Sequence, residues 1–267
     1  MSRITETFTR LKTEGRCALI PFIMAGDPDL RTTRELVVEL AKSGADIIEL
    51  GVPFSDPIAD GPVIQRASMR ALRNPIGVSH VLEVVDDARR ETGVPVILFS
   101  YLNPLLRFGA ERLGQEAARA GVDGLLVTDL TPDESEEFYE AMTGNGLDSI
   151  YLAAPTSTEK RLRLIAERAR GFIYAVSRTG VTGARAEMSA DAENLVTRLR
   201  AVTDLPVAVG FGISSSKQVA DVWRYAEGAV VGSAIVAEME RRAGEPDFVS
   251  SIGEFTRGLL PSSDDSL

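Results

Sequence analysis

One cysteine and one histidine in 267 residues close off several classes of chemistry before any motif is read. Cys17 alone cannot build a disulfide framework or a CxxC metal site. His80 alone leaves multi-histidine metal centres without ligands and sets histidine-based triads aside. It lies in Pro75-Ile76-Gly77-Val78-Ser79-His80, where a helical pattern opens, so a capping or surface role is expected of it. Acid–base work therefore falls to carboxylates, tyrosines or lysines. Positive charge is also short. The formal net charge of −10 argues against nucleic acid as a partner. It does not exclude a small phosphorylated substrate, because backbone amides at helix N-termini hold phosphate without lysine. No stretch approaches the roughly 18 apolar residues of a membrane span. Met1-Ser2-Arg3-Ile4-Thr5-Glu6 carries no apolar segment of the secretory kind. A cytoplasmic protein is expected, with a polar, acidic and disordered end over 261–267.

What is present is regular alternation. Short apolar runs occupy 18–24, 46–51, 96–101, 124–127, 149–153, 172–176, 207–210 and 228–231. Each is too continuous for a half-exposed strand and too short for a helix, which is how strands buried on both faces read. Amphipathic segments lie between them. Residues 32–43 put Leu36, Val37 and Leu40 on one face, and 158–169 do the same with Leu162, Ile165 and Ala166. Eight such units predict an α/β fold, a single (β/α)8 TIM barrel spanning 1–267. An extra N-terminal helix over 4–12 offers Ile4, Phe8 and Leu11 as a face to close the barrel's bottom.

One carboxylate interrupts this pattern. Glu49 ends the run Asp46-Ile47-Ile48-Glu49-Leu50-Gly51, and the proline-rich loop that follows carries Asp56 and Asp60. A buried carboxylate must be paired, protonated or used, and the C-terminal end of a parallel strand is where barrels do chemistry. Two glycine-rich turns lie further on, Gly210-Phe211-Gly212-Ile213-Ser214 and Gly232-Ser233-Ala234-Ile235. They follow strands seven and eight, the usual phosphate-binding corner of a barrel. A third, Ser177-Arg178-Thr179-Gly180-Val181-Thr182-Gly183-Ala184-Arg185, follows strand six and is composed like a lid. Asn103-Pro104-Leu105-Leu106-Arg107-Phe108-Gly109 reads as an apolar loop at the same end, with Leu105 and Phe108 offered to a partner.

The stretches at 49–57 with 59–62, 177–183, 210–214 and 232–236, together with Pro21-Phe22-Ile23-Met24-Ala25-Gly26-Asp27-Pro28, resemble the family of tryptophan synthase α subunits over nearly the whole barrel. The resemblance implies a lyase that cleaves indole-3-glycerol phosphate to indole and glyceraldehyde 3-phosphate. By position, Glu49 matches the general acid–base carboxylate and Asp60 the carboxylate holding the indole N–H. Tyr174 matches a tyrosine beside the site. Gly183, Gly212, Gly232 and Ser233 match phosphate-binding positions, Thr182 a substrate-binding one, and Phe22, Tyr101 and Leu126 match apolar walls around the indole. The resemblance further implies an α2β2 complex in which pyridoxal phosphate sits on the β subunit and this chain carries no cofactor or metal. Thr128 and Thr131 depart from the commoner pattern beside Leu126. A standalone indole-glycerol-phosphate lyase and a non-catalytic allosteric barrel are the alternative readings.

Overall fold

In the computed structural model, residues 1–176, 185–210 and 212–261 are described, with side chains omitted over 185–189. Eight parallel strands close into a barrel in chain order: β1 Ala18–Met24, β2 Ile48–Gly51, β3 Val96–Ser100, β4 Gly124–Val127, β5 Asp148–Ala153, β6 Ile173–Val176, β7 Val207–Gly210 and β8 Gly228–Val231. β1 pairs with β8 to complete the ring, Ala18 standing opposite Gly228.

Alternation along each strand sorts side chains between two cores. Ile48 and Leu50 face the surrounding helices, while Ile47 joins Ile20, Ile97, Leu126, Ile150, Phe172 and Val230 inside the barrel. The opening helix, Arg3–Thr13, brings Ile4, Phe8 and Leu11 into that same interior cluster. Phe8 meets Phe172 with ring centroids 5.8 Å apart. The barrel's bottom is thus plugged as the helical face predicts.

Carboxylates at this lower end serve the fold. Asp46 lies just before β2 rather than in it, accepts the Leu19 N–H at 3.0 Å, and takes both guanidinium nitrogens of Arg16 at 2.8 and 2.7 Å. Asp123 accepts from Val96 N at 2.8 Å and pairs with Arg3 and Arg89, each at 2.6 Å.

Two expectations about the helical layer change. Residues 102–108 are a helix, Leu102–Phe108, rather than a loop. Its Leu105 is fully buried in the protein's own core, and Phe108 packs against that core with Arg112 over its ring. Leu106 is the residue left outside, 55% exposed. His80 behaves as its position suggests: its Nδ1 accepts the Gly77 N–H at 3.2 Å at the start of helix Val78–Ala88.

Candidate active site

The inward positions at the top of β1, β2, β3 and β6 converge on a cavity lined by Phe22, Glu49, Asp60, Gly61, Ile64, Phe99, Tyr174, Gly212, Ile213, Val230, Gly232 and Ser233. Glu49 stands beside Phe22 and Ile97 in the sheet register. It is 1% exposed, and its Oε1 has no hydrogen-bond partner among the described residues. Burial without a compensating charge pushes its carboxyl up to about 8. The other three buried carboxylates among the described residues, Asp27, Asp46 and Asp123, all have arginine partners.

Asp60 reaches the cavity from the loop after β2, and the loop is held at several points. Ser68 Oγ accepts from Phe54 N at 2.9 Å and donates to Phe54 O at 2.8 Å. Gln65 Nε2 donates to Asp60 O at 2.9 Å. The Tyr101 hydroxyl accepts from Ala59 N at 2.9 Å, and it also hydrogen-bonds the Asp60 carboxyl. Partial burial raises Asp60 to about 6, with the Tyr101 bond working against that rise. Two neighbouring carboxyls therefore differ because their surroundings differ, which is the arrangement that splits acid and base roles at one pH.

Tyr174, on β6, is buried, and its phenol is raised well above the ordinary value, first by burial and then by the charges of Glu49 and Asp60. A side chain on Gly210 of the neighbouring strand would meet the Tyr174 hydroxyl at 2.0 Å, so glycine there is what admits the phenol. At the other end of the cavity, Gly212 has φ +75°, and Gly232 stands at the N-cap of helix Ser233–Arg242. The first-turn bond of that helix runs from Val236 N to Gly232 O. Among the described residues no side chain caps it, which leaves first-turn N–H groups available to an anion.

Seven of the expected residues thus line one cavity: Phe22, Glu49, Asp60, Tyr174, Gly212, Gly232 and Ser233. Tyr101 does not line it and instead anchors the Asp60 loop. Leu126 lies in the barrel interior with Ile97, Ile150 and Tyr174. Thr182 and Gly183 lie outside the described residues, as does the expected lid over 177–184, while Arg185, expected at its end, opens helix Arg185–Arg200. Phe99, Ile64, Gly61, Ile213 and Val230 were not expected. Phe99 could have been found, since it lies two residues past the inward Ile97. Its ring packs edge-on to Phe22, with centroids 5.4 Å apart. Among the described residues, no group of histidine, cysteine, aspartate and glutamate could hold a metal ion.

The family model described as Tryptophan synthase alpha chain matches residues 8–256. The tryptophan synthase alpha chain of Solibacter usitatus is 51% identical over 259 residues, 97% of each chain. Among solved structures, tryptophan synthase subunit alpha from Legionella pneumophila superposes with a TM-score of 0.90 at 37% identity, covering 97% of each chain. A Mycobacterium tuberculosis tryptophan synthase chain gives 0.87 at 40% identity, covering 98% of this chain and 99% of that one.

Proposed function

The chain belongs to the tryptophan synthase alpha chain family and is a lyase that cleaves indole-3-glycerol phosphate to indole and glyceraldehyde 3-phosphate, and we propose that Glu49 moves its protons while Asp60 holds the ring N–H. At neutral pH a carboxyl at about 8 keeps its proton and one at about 6 has lost it. Glu49 donates to the indole carbon that bears the side chain. The ring becomes cationic, and the Asp60 carboxylate stabilises the charge next to the nitrogen. Glu49, now ionised, accepts the proton of the side-chain hydroxyl next to the ring. The carbon–carbon bond breaks, its electron pair restores the aromatic ring, and the hydroxyl carbon leaves as an aldehyde. Glu49 ends protonated, so the proton count closes on one residue.

In this reading the phosphate rests on Gly212, Gly232, Ser233 and the helix N–H groups behind them, with Thr182 and Gly183 joining by resemblance. Phe22, Phe99 and Ile64 wall the ring. Tyr101 fixes the Asp60 loop, and Leu126 supports the floor. The family works in a complex with a tryptophan synthase β subunit. An α2β2 assembly, pyridoxal phosphate confined to that subunit, and a cytoplasmic setting complete the proposal; among the described residues no helix is long and apolar enough to cross a membrane.

The observation that carries the assignment is the buried Glu49 carboxyl, its Oε1 without a partner among the described residues, lining one cavity with Asp60. The test is indole release by Glu49→Gln, for which a loss of about 10²–10⁴-fold or more is expected in a folded protein. Near-normal turnover by that variant would remove Glu49 from the mechanism.

A further inference from the structure

Arg70 does not line the cavity, yet it ties together three segments that do. It lies on helix Pro62–Ala71, which begins directly after Asp60 and Gly61 and contributes Ile64 to the cavity. Its Nε and Nη2 donate to the two oxygens of Asp27 at 2.8 and 2.7 Å. Asp27 is 3% exposed and lies just past β1, the strand that supplies Phe22. The remaining nitrogen, Nη1, donates to Glu240 Oε1 at 2.8 Å. Arg66 of the same helix also holds that carboxylate through Nε and Nη2, the latter at 2.7 Å from Oε2. Glu240 lies two turns along helix Ser233–Arg242, whose first residues form the proposed phosphate end. The two helices also share an apolar seam of Ile64, Ala67, Ala71 and Val236 against Phe22 and Met24.

That seam permits sliding, because apolar contacts are not directional. A planar guanidinium engaged on both edges does not permit it, since each bond fixes distance and angle. We infer that Arg70 is a positioning residue that sets the span between the ring-holding Asp60 and the phosphate-holding start of helix Ser233–Arg242. That span decides whether a substrate anchored by its phosphate presents the correct ring carbon to Glu49. The inference rests on the site assignment above and adds what holds the two ends of that site at a fixed separation. Misplacement of reacting groups by a fraction of an ångström to an ångström lowers turnover more than it lowers binding, so the effect belongs to kcat.

The test uses the full chain with Arg70→Lys, which keeps the charge but cannot engage both partners, and with Glu240→Ala, which leaves the Asp27–Arg70 pair intact but also frees Arg66. Arg66→Ala, which removes only the parallel bridge to Glu240, is the control and should keep the parent's kcat. Steady-state cleavage of indole-3-glycerol phosphate is measured beside thermal melting and the binding of two half-ligands, indole and glycerol 3-phosphate. Expected is a fall in kcat of about tenfold for Arg70→Lys and about threefold for Glu240→Ala. KM and both half-ligand affinities should stay within about threefold of the parent, with the fold retained. Unchanged kcat in the folded Arg70 and Glu240 variants overturns the inference, and so does a half-ligand affinity that falls in step with kcat. If Arg70→Lys does not fold, Glu240→Ala measured against Arg66→Ala decides, and equal kcat in those two overturns the inference. Ser233→Asp tests the underlying site separately, since a carboxylate there should abolish binding of glycerol 3-phosphate. If binding persists, the site assignment falls and the inference with it. If binding is lost while Arg70→Lys keeps full kcat, the inference alone falls.

Discussion

Glu49 and Asp60 are the same functional group in two environments, and the difference between those environments is the proposed mechanism. Glu49 is raised to about 8 by burial alone, whereas Asp60, half-buried and bonded to Tyr101, is raised only to about 6. Activity needs Asp60 ionised and Glu49 protonated. The expected kcat/KM profile is therefore a bell with an ascending limb near pH 6 and a descending limb near pH 8. Asp60→Asn should remove the ascending limb and lower turnover sharply while leaving binding of glycerol 3-phosphate intact, since the lost charge matters as the ring becomes cationic. A pH profile of that variant, measured with the binding assay, checks both halves. Normal turnover would reduce Asp60 to a turn residue. Glu49 was legible in the sequence because a charge in a both-faces-buried run is conspicuous, whereas Asp60, in a turn-like loop, was marked by the family resemblance. Phe99 was legible in principle from its alternation with Ile97, but the anchoring role of Tyr101 was not, because it depends on where the loop after β2 lies once the barrel has closed.

At the scale of elements, the apolar runs predicted four strands to the residue: β1, β4, β7 and β8. Burial on both faces leaves so little polar alternation that run and strand coincide. The run at 46–51 overshoots β2 because Asp46 is a backbone acceptor beneath the strand, a role that hydropathy does not reveal. Helix Leu102–Phe108 was obscured by Pro104, which reads as a loop signal. In the first turn of a helix the missing N–H costs no hydrogen bond, and Asp129 Oδ1 accepts the Leu102 N–H at 2.7 Å. This changes how the partner surface is tested. Leu105→Asp would bury a charge in the core and destabilise the chain by several kcal/mol, so it reports on folding. Leu106, at 55% exposure, and Ile58, at 88%, are the large apolar residues left in solvent beside the loops at the mouth. Replacing both with Asp should leave isolated cleavage unchanged and weaken association with the β subunit by about 1–2 kcal/mol. Titration calorimetry beside an isolated activity assay measures this, and unchanged affinity would place the interface elsewhere.

For the whole molecule, the site is a local loss of stability that the rest of the barrel offsets. At the lower end, Asp46 and Asp123 are satisfied by arginines and backbone N–H groups, and the opening helix seals the interior. At the upper end, Glu49 is buried, and its Oε1 has no partner among the described residues. Its ordinary value is 4.5 and its folded value about 8, so between those pH values the folded chain holds a proton that the unfolded chain has released. A group raised in this way leaves stability intact below about pH 4.5 and withdraws it as pH climbs to about 8, at roughly 1.4 kcal/mol per pH unit. Asp60, raised in the same direction, adds a smaller contribution with the same sign at lower pH. Glu49→Gln removes the first contribution and leaves the second. Urea unfolding of both proteins between pH 5 and pH 9 should show the parent losing stability relative to Glu49→Gln as pH rises, with the gap levelling off above about pH 8. The inactive variant would then be the more stable one under alkaline conditions. Parallel stability curves for the two proteins would mean that Glu49 titrates normally in the folded chain, and the proton-donor role would lose its physical basis.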